Sequence, residues 1–504
     1  MFNITLLCFL LLFSQFSQSA PSEGASFKIP YYQQFFELNP QSLKTSSGQF
    51  FYQNLFRNLL YYDNEKGLVP DLAKKCQWKT ATHLRCTLKE NLKWSDGTEI
   101  TPDHFYNSYK SLLTGSNNYP RKDLFDNIQG AKDFSSDKLP WAQVGIKIKS
   151  TNKNKFIEFF LMEPDSDFEF ALSQTITAPL KEGKKIEDFK ALITSGPFKI
   201  KDYRKTDQRI LFEKNSFYQG QKTDIPIQWV YLTEDNLQVP LYLKNELDMV
   251  RRLPTSQIQE WKDKKDFFSQ EILRFDYFGF NLEKISKPQR EIFFNSLSFL
   301  ELKKIFNSPG KPGCFQLSKK LTGKEELCYA ENKPITKEDK LAVKNIKAEF
   351  LLSQSGGEDH QRASEWMQNQ WQEKLNIKVA IRIIENKIFL QHLKTNLPAF
   401  FRKGVPLESS SCFAALKIFL PGSPENLSKI NNQTLNQIIS KLKIEKNMKK
   451  KQELCSEGLN LIMKEFYIFP TGRFDLSYLI RPQFSGFKFN HLNYLDLGSL
   501  EHHQ

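Results

Sequence analysis

The chain has 504 residues, with 71 Lys and Arg against 57 Asp and Glu, for a net charge of +14. With 25% charged and 40% hydrophobic residues it has an ordinary globular balance, which excludes a disordered, collagen-like or coiled-coil chain. At roughly 100–200 residues per domain, two to four domains are expected. Only one stretch approaches the apolarity of a membrane segment, so a polytopic membrane protein is excluded.

That stretch, ITLLCFLLLF at residues 4–13, is followed by the small and polar run SQFSQSAPSEGAS. It is too short to span a bilayer and fits the core of a signal peptide covering residues 1–20. No Lys or Arg precedes the core, and Pro21 leaves the cleaved bond open near Ser19 or Ala20. Cys8 lies inside the core after Leu7, and no Cys follows where a lipid anchor would need one. The expectation is a soluble, exported, periplasmic protein without a lipid anchor.

Without Cys8, six cysteines remain: Cys76, Cys86, Cys314, Cys328, Cys412 and Cys455. An even number in an oxidising compartment predicts disulfides, with 15 possible connectivities. Local pairing is attractive. CQWKTATHLRC reads as two strands around a turn, placing Cys76 opposite Cys86. Cys314 and Cys328 flank one Gly- and Lys-rich loop, which leaves Cys412 with Cys455. The positive charge is diffuse. KNMKKK at 446–451 reads as a solvated helix face rather than a nucleic-acid surface.

Along the chain, FFYQNLFRNLLYYD places Phe51, Leu55, Leu59 and Tyr62 at helical spacing. GLVPDLA marks a turn and a short packed element. Residues 76–100 read as strands with an Asp96-Gly97 turn. Thr101-Pro102-Asp103 opens a helix striped by Phe105, Tyr109 and Leu112. VGIKIKS and KFIEFFL read as two strands, and Gly196-Pro197 breaks the chain before ITSGPFKIKDYR resumes as a strand paired with RILFEKN. VYLTEDNLQVPLYLKNELDMV alternates a strand with a helix. RFDYFGFNL (274–282) is a strand buried on both faces, and EIFFNSLSFLELKKIFN is an amphipathic helix. Residues 309–340 read as a long loop. KAEFLLS and KVAIRII are strands around the helix RASEWMQNQWQEKLN, and a helix near 433–466 and short strands close the chain. Alternating strands and helices imply α/β or mixed α+β architecture.

The wording and order of several segments resemble the extracellular solute-binding proteins of the oligopeptide/dipeptide type, the peptide-binding components of ABC transporters. FELNPQSL resembles that family's Leu-Asp-Pro opening. NLFRNLLYYDNEKGLVPDLAKKCQW resembles its Pro-x-Leu-Ala and Trp stretch, and LRCTLKENLKWSDGTEITPDHFYNSYKSLL its Trp-Ser-Asp-Gly block. IQGAKDF, TSGPFKI, EKNSFYQG and FGFN also match, so the resemblance spans nearly the whole mature chain. It implies a two-lobed, three-domain periplasmic-binding-protein fold with the ligand cleft between lobes. The first lobe is expected to be discontinuous (26–54, 168–272 and 472–504), with a small accessory domain (55–167) packed on it and a second lobe at 273–471. WSDGTEIT and Gly196-Pro197 are read as structural turns.

The resemblance also implies a ligand site. Members commonly hold a peptide α-amine with the Asp of an Arg-x-Gly-x-x-x-Asp pattern. Here the stretch reads Arg402-Lys403-Gly404-Val405-Pro406-Leu407-Glu408, so Glu408 stands where Asp would be. A carboxylate supplies the opposite charge and short charge-assisted bonds that an ammonium needs. The Trp and Tyr-x-x-Pro of many members are absent, and SSSCFAAL takes their place. Arg402 is expected to pair with Glu408 or with a ligand carboxylate. Phe275, Tyr277 and Phe278 lie where the family places aromatics along a bound peptide, or else they are core. Ser46, Ser47 and Gly48 lie where the first lobe offers backbone partners to an extended ligand.

The sequence carries no His-Glu-x-x-His, Gly-x-Ser-x-Gly or phosphate-binding Gly-rich loop, so an enzyme is not expected, nor a cofactor or metal. The expectation is a monomeric receptor that captures short peptides and delivers them to the permease subunits of an ABC importer in the inner membrane. The alternatives are the same fold with other cargo (a sugar, metal chelate or haem), or a non-transport sensor or chaperone.

Overall fold

The computed structural model of the chain describes residues 26–31, 39–43, 46–151, 154–181, 189–204, 206, 209–232, 234–306, 314–315, 319–324, 327–329, 332–354, 358–407, 409–470 and 475–503. The N-terminal segment read as a signal peptide, and Glu408, lie outside them. Among the described residues no helix is long and apolar enough to cross a membrane.

The architecture is mixed α/β, built as three bodies around separate cores. In the first, the Phe27–Tyr31 strand pairs parallel with Ile227–Tyr231, and Arg209–Lys214 and Phe198–Arg204 extend the sheet antiparallel. Helix Ser46–Leu55 lies on this sheet through Phe50, Phe51 and Leu55, with Phe51 meeting Phe212 and Trp229 edge-on. Each such buried side chain is worth roughly 1.5–3 kcal/mol. Tyr478, Ile480, Leu495 and Leu497, from the far end of the chain, complete the same core. The strand Asp475–Ile480 runs between Met249–Val250 and Phe267–Glu271.

The helix over FFYQNLFRNLLYYD is shorter than its apolar spacing predicts. It ends at Leu55, and Leu60–Asp63 is a strand paired with Gly67–Pro70. Tertiary bonds end it. The Leu55 carbonyl accepts from the Ser195 and Gly196 amides (3.1 and 2.8 Å), and Asn58 Nδ2 donates to the Gln174 carbonyl (2.7 Å). The residue at 196 must be glycine, because a Cβ there would lie 2.8 Å from the Leu55 carbonyl carbon. Leu59 and Tyr62 consequently leave the helix stripe and join the cores of the second and third bodies.

The second body is an antiparallel sheet of Ala73–Thr80, His83–Leu88, Lys155–Phe160 and Ile146–Ser150. Helix Pro102–Leu113 covers it with Phe105, Tyr109 and Leu112. Asp96 shapes the preceding turn by accepting the Thr98 amide (3.1 Å), and the Thr101 amide donates to His104 Nδ1 (2.9 Å) at the helix start. Both features fit the structural reading of WSDGTEIT.

The third body is a five-stranded sheet in the order Val379–Ile384, Ala348–Ser353, Phe400–Pro406, Arg274–Phe280, Ile468–Pro470. The strand Arg274–Phe280 lies inside this sheet, with a core on each face. Alternation sends Phe275 and Tyr277 to one core and Phe278 and Phe280 to the other. The segment read as a long loop at 309–340 holds more structure than expected. Cys314–Phe315 pairs with Leu327–Cys328, and Thr336 Oγ1 caps helix Lys337–Val343 by accepting the Asp339 amide (3.1 Å). Gly and Lys content hid a short pairing that a disulfide holds together.

Disulfides join Cys76 to Cys86, Cys314 to Cys328 and Cys412 to Cys455. The last closes the longest loop, with a separation of 43 residues, and links helices Cys412–Leu416 and Met448–Lys464. Chain-entropy arguments give such a loop about 4 kcal/mol. Replacing both Cys412 and Cys455 by serine is expected to lower the melting midpoint of the third body by on the order of 10 °C in calorimetry. An unchanged midpoint would show that packing alone holds these helices.

Candidate functional site

The strand RFDYFGF places an acid, Asp276, among aromatics, and its side chain is 1% exposed. A carboxylate so buried needs cations. Arg274, two residues earlier and so on the same face, supplies one, with Nε 3.1 Å from Asp276 Oδ2. Arg402, on the neighbouring strand Phe400–Pro406, supplies another through Nη2, which donates to the same oxygen. His360, near the start of helix Glu358–Leu375, brings Nε2 to 3.6 Å from Oδ1. Burial works against the Asp276 anion, but the two guanidiniums and His360 outweigh it and hold the carboxyl well below the usual carboxylate range. Burial, with the positive charge of Arg402, pushes His360 down to about 4, so it is neutral at pH 7.

Two arginines share one carboxylate oxygen, Asp276 Oδ2. Arg252 adds to the positive field at both guanidiniums. A recess of about 120 Å³ opens beside the cluster, lined by Arg402, His360, Ser353, Gln354, Ile383 and Phe389. Its volume is below the ~300 Å³ at which small-molecule sites begin. It accommodates a carboxylate or a short side chain, not a peptide.

Gly404 lies under this cluster. A Cβ there would fall 2.6 Å from Arg274 Cζ and Nε, so glycine is needed to let the guanidinium lie across the strand. The expected result of Gly404→Ala is that Arg274 swings away from Asp276 and stability falls by about 1–3 kcal/mol, read by denaturant unfolding. A wild-type midpoint would show that Arg274 contributes nothing there.

The other sequence-predicted site residues separate. Phe275 and Tyr277 are buried and pack against Phe419, with ring centroids 5.5 and 6.0 Å apart. That core also takes in Tyr62 and Tyr494 from the other two bodies, so these rings lie where the bodies meet. Phe278 does not share the wall. It faces the opposite core, against Phe350 and Phe306, because one residue along a strand reverses the side. Ser46 and Ser47 open a helix and Gly48 is buried in its first turn. A helical start presents amide N–H groups rather than the alternating donors and acceptors of a strand edge, so residues 46–48 cannot add a ligand as a strand. Arg402 pairs with Asp276, and its expected partner Glu408 lies outside the described residues.

Contacts between bodies surround this region. Asp167, just past the second body's sheet, has Oδ2 2.8 Å from Ser409 Oγ and also accepts from Ser411 Oγ. The Ser166 amide donates to the Lys443 carbonyl (3.0 Å), Lys451 Nζ reaches Ser166 Oγ (3.0 Å), and Lys443 pairs with Glu163. On another side Thr255 donates to Asp359, which Arg362 also holds at 2.9 Å. The Leu273 amide donates to the His491 carbonyl (2.7 Å) where the chain passes from the first body to the third.

The family described as bacterial extracellular solute-binding proteins, family 5 (middle region), matches residues 67–309. The chain is 23% identical to the dipeptide-binding protein DppE of Bacillus subtilis over 88% of its own length and 86% of the relative's. It is 21% identical to the periplasmic murein peptide-binding protein MppA of Escherichia coli over 87% and 86%. Among solved structures it superposes on Haemophilus influenzae OppA in complex with RPPGFSPFR with TM-score 0.78 at 15% identity, covering 95% of this chain and 99% of that one. It superposes on Escherichia coli MppA with TM-score 0.78 at 17% identity and the same coverage. Three bodies, a mixed sheet carrying a buried charge cluster, and a likeness that runs through nearly the whole chain lead to one conclusion: the chain has the fold of the periplasmic peptide-binding proteins and resembles the family-5 bacterial extracellular solute-binding proteins over residues 67–309.

Proposed function

We propose that this chain is an exported receptor that captures a short peptide between two closing lobes and delivers it to an ABC importer. The observation that carries the reading is the buried cluster of Arg274, Asp276 and Arg402, whose Arg402 lines a recess. A guanidinium lining the recess can donate charge-assisted bonds to a peptide's terminal carboxylate. The peptide-binding relatives named above support the same cargo.

In this reading the lobes are those of the sequence division: 26–54, 168–272 and 472–504 for the first, 273–471 for the second, with 55–167 as the accessory domain. A core within each of the three bodies supports it, with Phe168, Ala171, Leu172 and Ile176 packing into that of the accessory domain. Glu408 would take the α-amine and Arg402 the carboxylate, while Phe275 and Tyr277 serve as core on the other face of the sheet. Residues 1–20 would be the signal peptide, the mature monomer would work in the periplasm, and its partners would be the importer's permease subunits.

Native mass spectrometry of the mature protein with a random di- to pentapeptide pool tests this. Capture by wild type is expected, with about 10–100-fold weaker binding in Glu408→Ala and in Arg402→Ala. Unchanged binding in Glu408→Ala would remove that residue from the site. No captured peptide at high micromolar concentration would overturn the peptide reading.

A further inference from the structure

Beside Tyr62, which enters the third body's core, the second and third bodies meet through a set of polar contacts. Ser409 is 2% exposed, and its hydroxyl lies 2.8 Å from Asp167 and 2.9 Å from Ser411 Oγ. Ser411 donates to Asp167 while accepting the Ala414 amide (3.1 Å), so the carboxylate grips the N-cap of helix Cys412–Leu416. That helix is tied by its first residue to Cys455. The docking point is therefore rigid. Ser166 and Glu163, beside Asp167, meet Lys443 and Lys451 at the facing ends of helices Gln433–Ile444 and Met448–Lys464, into which the single helix expected near 433–466 divides.

These bonds require the two bodies to be in contact. When they separate, Ser409 and Asp167 both meet water, and the difference between the two states is what sets their ratio. We propose that Asp167 is a positioning residue for closure: by holding Ser409 and Ser411 it biases the receptor toward the closed arrangement before any ligand arrives, and slows ligand release afterwards. The proposal rests on the two-lobe receptor reading given above. It assigns to Asp167 a role through the other lobe's hydroxyls and not through the cargo.

Small-angle X-ray scattering of the ligand-free mature protein tests it, on wild type, Asp167→Ala, Ser409→Ala and the double variant, with circular dichroism as the fold control. Wild type is expected to scatter as a closed particle. Each single change is expected to raise the open-to-closed ratio about tenfold, the size of one lost bond to a charged group. The double variant should open little further, because both changes break one interaction. A merely structural role would shift the melting midpoint without this non-additive opening. An Asp167→Ala profile identical to wild type, or fully additive opening, overturns the proposal. Release of tri-alanine supplies a second arm, with dissociation expected about tenfold faster in Asp167→Ala. If wild type binds no peptide yet Asp167→Ala still opens, the peptide reading fails and the latch stands. If peptides bind and leave both proteins at one rate, the latch fails and the receptor stands.

Discussion

Asp276→Ala is expected to destabilise the third body by about 3–5 kcal/mol, the cost of removing one partner from a buried ion cluster. Arg274 and Arg402 both bond to the single oxygen Oδ2, so its loss removes the carboxylate that the two buried guanidiniums share. Arg402 lies inside the sheet, its side chain 14% exposed, and water reaches it poorly. Calorimetry should show the third body unfolding as a separate, earlier transition, and peptide capture should fall with it. Asp276→Asn should cost less, since the amide oxygen still accepts one bond. A midpoint within about 1 kcal/mol of wild type for the alanine variant would show that the arginines find other partners, and the site would lose its central element.

Stability is expected to fall as pH drops from about 6.5 to about 4, through His360. Its ring is neutral in the folded protein down to about 4, whereas the unfolded chain binds the proton near 6.5. Across that window the unfolded state carries one more proton, so unfolding is favoured by each step downward in pH. At 1.36 kcal/mol per unit the window is worth about 3 kcal/mol, fully present above 6.5 and gone near 4. Asp276 extends the trend. Its folded carboxyl titrates below the normal range, so its contribution is present above the ordinary Asp value and is lost as pH falls further. His360→Gln, which can still donate to Asp276, should flatten the upper part of the curve and leave the lower part. Denaturant midpoints measured at pH 7, 5.5 and 4.5 check this; equal slopes in the two proteins would remove His360 as the cause.

The bodies of the fold were legible because their signals are local. Alternation marked the strands around Cys86 and Ile157, and Thr101-Pro102 marked a helix start. The run RFDYFGF is apolar enough to be a strand covered on both sides. The end of the first helix was not legible, because Ser195, Gly196 and Gln174, more than a hundred residues away, stop it. The site was half legible. Arg402 and Gly404 emerged from resemblance. The i, i+2 spacing of Arg274 and Asp276 already places both on one strand face, and an acid in an aromatic strand could have flagged the cluster. His360 could not be found this way, since nothing local ties it to Asp276. Asp167 and Ser409 are likewise joined only by the meeting of two bodies. Phe278 shows the reverse error: adjacency in sequence suggested a shared wall that the pleat forbids.

The order in which the chain can assemble follows from its three-stranded sheet. Asp475–Ile480 is the central strand there, with Met249–Val250 and Phe267–Glu271 as its flanks. The last strand of this sheet to emerge during synthesis is thus the one that joins two made more than 200 residues earlier, and until it arrives both flanks wait for their central partner. The disulfides run on the opposite schedule, with separations of 10, 14 and 43 residues. Each closes within one body, over a short loop whose ends meet early. The second and third bodies can therefore be stapled while the first is still missing its keystone. The first body, which carries no staple, depends on the chain's tail to finish it.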